Sequence, residues 1–72
     1  MVKAMNVEMQ ALYRAILRDL RHDGESSRVL CGRRYDFLYS DYGTEVVCDG
    51  EFLCEISHDW ELEELLMDLS GH

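Results

Sequence analysis

The residues of this chain best able to do chemistry are three cysteines, Cys31, Cys48 and Cys54, three histidines, His22, His58 and His72, and fifteen carboxylates. A zinc site needs about four ligands within tetrahedral reach, and neither the cysteines nor the histidines show the paired spacing that supplies them. Three cysteines cannot all pair within one chain, and none form C-x-x-C, so they read as reduced, buried thiols. Nucleophilic catalysis requires a thiolate, whereas Cys48 and Cys54 lie among Glu45, Asp49, Glu51 and Glu55, whose charge opposes ionisation. His58 and Asp59 are adjacent like a general-base pair, yet neighbours on a helix project about 100° apart and no nucleophile accompanies them. Helix capping accounts for Asp59. No glycine-rich phosphate loop is present, and the many carboxylates make chance pairs inevitable. The expectation is a protein that is not an enzyme and binds no metal or cofactor.

Charge carries more information. All seven basic residues, Lys3, Arg14, Arg18, Arg21, Arg28, Arg33 and Arg34, precede Tyr35, and eleven of the fifteen acids follow it. The chain is an electrostatic dipole with a net charge of -8. Such a field bears on partner sign, association rate and solubility, and not on fold. At pI 4.6 the chain repels a nucleic-acid duplex outside one arginine patch, so direct nucleic-acid binding is not expected. The longest apolar run is far below the roughly 18 residues of a membrane span, and the N-terminus lacks a secretory pattern. A cytoplasmic protein with no membrane partner is expected, as a monomer or homodimer.

Seventy-two residues suit one domain, which at this size buries only about 60% of its unfolded surface and leaves little room for an internal cavity. From Asn6 to His22, Met9, Leu12, Tyr13, Ile16 and Leu20 recur at helical steps, extended by Met5. Arg14, Arg18 and Arg21 fall opposite that stripe, with Asn6 as N-cap and Gly24 as stop. Tyr35 to Ser40, Thr44 to Cys48 and Glu51 to Ile56 read as strands. A Ser40 to Gly43 loop sets Tyr39, Phe37 and Tyr35 opposite Thr44, Val46 and Cys48. A three-residue Cys48 to Gly50 loop would set Val46 opposite Phe52 and Thr44 opposite Cys54, giving a buried face of Tyr35, Phe37, Tyr39, Val46, Phe52, Cys54 and Ile56. The register keeps Cys48 and Cys54 apart, so no disulfide is expected. Ser57 or Asp59 would cap a second helix running to about Leu69, with Leu62, Leu65, Leu66 and Leu69 inward. Ser26 to Arg34 is either an extra short strand at Val29 to Cys31, turning at Gly32-Arg33, or a bulged strand start. The expected fold is α+β: helix, three-stranded antiparallel β-meander, helix, with both helices on one sheet face.

Seven bases can neutralise at most seven of fifteen acids, and exposed pairs contribute only about 0 to 1 kcal/mol each, so internal pairing does not account for the excess. A solvated surface that keeps a small protein soluble accounts for part of it. Acids interrupted by exposed aliphatics also provide a steering field and anchors for a basic groove. The candidate contacts are Asp36, Glu45, Asp49, Glu51 and Glu55, with Tyr42 and Leu53 as anchors, and Glu61, Glu64 and Asp68 as a second surface. The run Glu45-Val46-Val47-Cys48-Asp49-Gly50-Glu51 and the acidic helix from Asp59 to Asp68, in a chain of this size, resemble the small phage-encoded inhibitors, above all anti-CRISPR proteins. The arginine-bearing first helix departs from a uniformly acidic DNA mimic, and these inhibitors share no motif that would assign site residues. The resemblance implies a non-catalytic protein that blocks a basic nucleic-acid-binding partner, such as a CRISPR effector, from the host cytoplasm. The alternative is a small regulatory adaptor acting as a homodimer.

Overall fold

The computed structural model describes residues 7–70; Met5 and Asn6, expected to extend and cap the first helix, lie outside it, as do Lys3 and His72. Helix α1 (Val7–Asp23) leads into strands β1 (Glu25–Leu30), β2 (Arg33–Ser40), β3 (Gly43–Cys48) and β4 (Glu51–Ile56), and helix α2 (Asp59–Ser70) follows. The strands form one antiparallel sheet in the order β1-β2-β3-β4. The fold is α+β with four strands, not the three expected.

Helix α1 stops where glycine permits it. Gly24 has φ +76°, and its N–H donates to the Leu20 carbonyl at 3.0 Å, which satisfies an orphan acceptor of the last turn. The extra strand is β1, paired along its length with β2 from Glu25↔Leu38 to Leu30↔Arg33. Its turn is Cys31-Gly32, both at positive φ (53° and 77°), the conformation of the two-residue hairpin turn that matches strand twist. The inward residues of β1 include Ser26 and Arg28, which hide an alternating pattern from a hydrophobicity reading.

Strands β2 and β3 pair as expected, with Tyr35↔Cys48, Phe37↔Val46 and Tyr39↔Thr44. The next hairpin differs. Asp49 and Gly50 both take positive φ, so the turn has two residues, and Cys48 pairs with Glu51 and Val47 with Phe52. A bulge then shifts the register, so that Val46 meets Cys54 and Thr44 meets Ile56. The extra residue restores Cys54 and Ile56 to the buried side while leaving Phe52 outside, 64% exposed. A two-residue turn in unbroken register would have put Cys54 and Ile56 on the open side with Glu45, and the bulge removes that conflict.

One side of the sheet carries both helices. Ile16 and Leu20 of α1, Tyr35, Phe37, Val46 and Ile56 of the sheet, and Leu62 and Leu66 of α2 form the core. Tyr39, expected inside, is 68% exposed because it lies at the end of β2, where its strand neighbour Thr44 is covered but the ring is not. Helix α1 packs over β1 and β2, and α2 over β4. Among the described residues no layer covers the opposite side of the sheet. Gly43, at φ +137°, lies so close to the backbone that a Cβ would collide with the Ile56 carbonyl oxygen. Gly43→Ala is therefore expected to cost about 1 to 3 kcal/mol, read as a lower denaturation midpoint with unchanged slope.

A polar contact ties α1 to the sheet. The Asp19 carboxylate accepts from Ser26 Oγ and from the Arg28 guanidinium, both at 2.8 Å. The Ser26 hydroxyl first, and Arg28 beside it, hold the Asp19 carboxyl below its ordinary range despite some desolvation. A carboxyl depressed in the folded state stabilises above its unfolded pKa, and the contribution fades as pH falls through the folded pKa. Asp19→Asn should lower the melting temperature at neutral pH, and the difference from wild type should vanish on acidification.

Candidate functional site

The open side of the sheet displays cross-strand rows. One runs Glu25, Leu38, Glu45, Glu55 across all four strands, and the next runs Ser27, Asp36, Val47, Phe52. At about 4.8 Å per strand, the first row spans roughly 14 Å. Leu38 of the first row and Val47 and Phe52 of the second form an apolar diagonal, and Leu38 and Phe52 are exposed. Glu45 and Glu55 are direct partners, a like-charge arrangement that destabilises a sheet. Among the described residues no cation pairs with either.

The structure divides the expected contact residues into two groups. Asp36 is engaged internally: its carboxylate accepts from Ser27 Oγ at 2.6 Å and Arg34 Nε at 3.1 Å, and Ser27 first, then Arg34, hold its pKa down. Asp49 is likewise occupied, accepting from the Arg34 backbone N–H at 2.9 Å while its own N–H donates to the Arg34 carbonyl. These two acids fasten the β3–β4 turn and β2. Among the described residues Glu45, Glu51 and Glu55 have no such partners; Glu45 and Glu55 face the open side, whereas Glu51, opposite Cys48, stands exposed at the start of β4 in register with the helix-bearing side. Leu53, 49% exposed, sits beside the bulge, and Phe52 joins it as an apolar anchor that the three-residue turn had placed in the core.

Helix α2 carries the second acidic set. Glu64 and Asp68 are exposed and Glu61 is half-buried. Burial pushes the Cys54 thiol up, and the Glu61 charge adds to it, so Glu61 lies near β4. The acids thus continue from the open side, around the β4 edge, to α2. Of the arginines with no ion pair among the described residues, Arg14 and Arg18 are exposed on α1, over the other half of the sheet, and Arg33 is exposed at the start of β2. The exposed arginines Arg14 and Arg18 of α1 and the acids of α2 thus lie over different edges of the sheet.

Tyr42 does not belong to either acidic surface. It lies in the β2–β3 turn, 83% exposed, beside Asp41. His58 stacks on Trp60 with ring centroids 6.1 Å apart and planes 14° from parallel, and Asp59 faces Arg21 at 3.7 Å. Each member of the His58-Asp59 dyad is thus engaged with a different neighbour. His58 also stands just before α2, where its carbonyl accepts from the Glu61 N–H at 3.0 Å, in the place expected for Ser57 or Asp59. All three cysteines are free, with Cys48 opposite Glu51 and Cys54 opposite Val46. A raised Cys54 pKa is the reverse of what a nucleophile needs. Among the described residues no three His, Cys, Asp or Glu side chains converge to hold a metal. No helix among them is long and apolar enough to cross a membrane.

Sequence reasoning missed the Ser26-Asp19-Arg28 contact, the His58-Trp60 stack and the outward Phe52. Only the last had a signal, in the Asp49-Gly50 pair that favours a two-residue turn. Comparison with protein-family models, curated proteins and solved structures gives no match.

Proposed function

We propose that the protein is a non-catalytic binding inhibitor whose acidic face occupies a basic, nucleic-acid-binding surface of a partner protein, of which a CRISPR effector is one example. The observation that carries this reading is the opposed pair Glu45 and Glu55, next to exposed Leu38 and Phe52 on a sheet side with no covering layer. An arrangement that costs stability, with no cation paired to it among the described residues, is explained by an external one. Steering by the excess acid brings a basic surface in, and the apolar diagonal supplies desolvated contact once it arrives. Glu51, Leu53 and the α2 acids Glu61, Glu64 and Asp68 extend the contact around the β4 edge, in the cytoplasm of the cell where the partner acts.

The homodimeric adaptor is less well supported. A two-fold axis through the open side would bring the acidic faces of two copies together, and pairing the acidic edge with α1 arginines of another copy is a head-to-tail contact, which builds a larger ring or a filament rather than a dimer. Mass measured by light scattering at low and high salt separates the two, since a charge-driven oligomer dissociates as screening rises. The inhibitor reading is tested by affinity capture from nuclease-treated bacterial lysate at low and moderate salt. Enrichment of a basic nucleic-acid-binding protein supports it; recovery of the protein alone, or of neutral partners, refutes it.

A further inference from the structure

Three large aromatic side chains stand in water at one end of the molecule: Tyr39 (68% exposed), Tyr42 (83%) and Trp60 (57%). None contributes to the core; Tyr39 and Tyr42 line a single cleft, and Trp60 stacks on a residue of its lining. This cleft, of about 280 Å³, opens between the β2–β3 turn and the start of α2 and is lined by Tyr39, Asp41, Tyr42, His58 and Asp59. Trp60 stacks on His58 of this lining. Tyr39, Thr44 and Asp59 also border a neighbouring cleft of about 610 Å³ beneath Leu17 and Arg21, so the two spaces are contiguous.

The turn holding these residues is ordered by its own bonds. Ser40 Oγ donates to the Gly43 carbonyl at 2.9 Å and accepts from the Tyr42 N–H at 3.3 Å. Rings and carboxylates around one small cleft suit a cation that can lie against a π-face while its N–H groups reach an oxygen. Among the described residues no cation pairs with Asp41, and Asp59 has only Arg21, at 3.7 Å with both side chains well exposed. An anion is disfavoured. The positive end of α2 already has Asp59 and Glu61 in its first turn, and Asp41 adds a third negative charge.

We infer that this cleft binds the guanidinium of an arginine side chain presented by a basic protein partner, with Tyr42 and Tyr39 as ring contacts and Asp41 as the carboxylate. Arginine is favoured over lysine because its planar group stacks and hydrogen-bonds at once. The inference rests on the reading that the partner is basic, and adds a specific grip at the end of the molecule, away from the open side of the sheet.

The test is amide-resolved NMR titration of the protein with N-acetyl-arginine methylamide, and separately with N-acetyl-aspartate methylamide. Saturable shifts from arginine at residues 39–44 and 57–60 are expected, weakened about fivefold by Tyr42→Ala, the loss of one exposed cation–π contact. Asp41→Asn should weaken binding similarly, and both variants alter exposed turn residues, so their spectra also report an intact fold. Shifts confined to Glu45, Glu51 and Glu55 would overturn the cleft while leaving the inhibitor reading in place. Absence of shifts, a response to the aspartate probe instead, or unchanged affinity in Tyr42→Ala would also overturn it. Arginine binding here, with no basic protein captured from lysate, would keep the cleft and remove the inhibitor reading.

Discussion

Changing Glu45, Glu51 and Glu55 together to lysine should weaken binding to the captured basic partner by up to about 100-fold, since three surface charge contacts at up to about 1 kcal/mol each sum to that factor. Repulsion introduced by the reversal adds to the loss. Most of the change should fall on the association rate and shrink as salt rises, because these acids steer more than they anchor. The fold should tolerate the change, as Glu45 and Glu55 lie in direct opposition with no cation paired to them among the described residues, and the reversal substitutes one like-charge pair for another. Glu45→Lys alone places opposite charges across β3 and β4 and should raise the melting temperature slightly. The parallel change of Asp36 and Asp49 should behave differently. Those carboxylates hold Ser27 and Arg34, so their loss should appear first in stability. Unchanged partner binding in the triple variant, measured by surface plasmon resonance, would rule out the open sheet face as the contact.

The second large effect separates two phenylalanines. Phe37 is fully buried between the helices and the sheet, whereas Phe52 is 64% exposed on the far side. Phe37→Ala should cost about 3 to 5 kcal/mol through lost burial and a residual cavity. A domain of this length has roughly 4 to 11 kcal/mol of stability in all, so much of the population should unfold near body temperature. The melting point should fall by at least about 12 °C. Phe52→Ala, by contrast, should stay within about 0.5 kcal/mol of wild type while reducing partner affinity. Comparable losses of stability in the two variants would contradict the bulged register of β4.

The contrast between these residues marks how far the sequence could be read. Helical spacing from Met9 to Leu20 and from Leu62 to Leu69 was sufficient for both helices, and the parity of Tyr35, Phe37 and Val46 for the β2–β3 register. Strand β1 was obscured because it turns a serine and an arginine inward, compensated by Asp19 from α1, a partner that only the tertiary fold brings near. The β3–β4 register was misread for a related reason. A regular hairpin with a buried Phe52 requires a three-residue turn, whereas a bulge next to Leu53 lets a two-residue turn coexist with a buried Ile56, and bulges have no hydrophobic periodicity of their own. For the candidate site, the excess of acid was plain in the sequence. Which acids were already engaged by Ser27 and Arg34 was not, because those hydrogen bonds depend on strand neighbours. The aromatic cleft was hidden for the same reason, since Tyr42 and His58 are sixteen positions apart and meet only because Thr44 pairs with Ile56.

The most direct measurement of the central claim is fluorescence anisotropy of a labelled oligonucleotide bound to the captured basic partner, followed as this protein is added. The inhibitor account predicts that anisotropy falls to the value of free oligonucleotide with a one-to-one dependence on added protein, and that the Glu45, Glu51 and Glu55 triple lysine variant fails to lower it. Formation of a stable ternary complex, with the oligonucleotide retained at saturating protein, would contradict occupation of a nucleic-acid-binding surface.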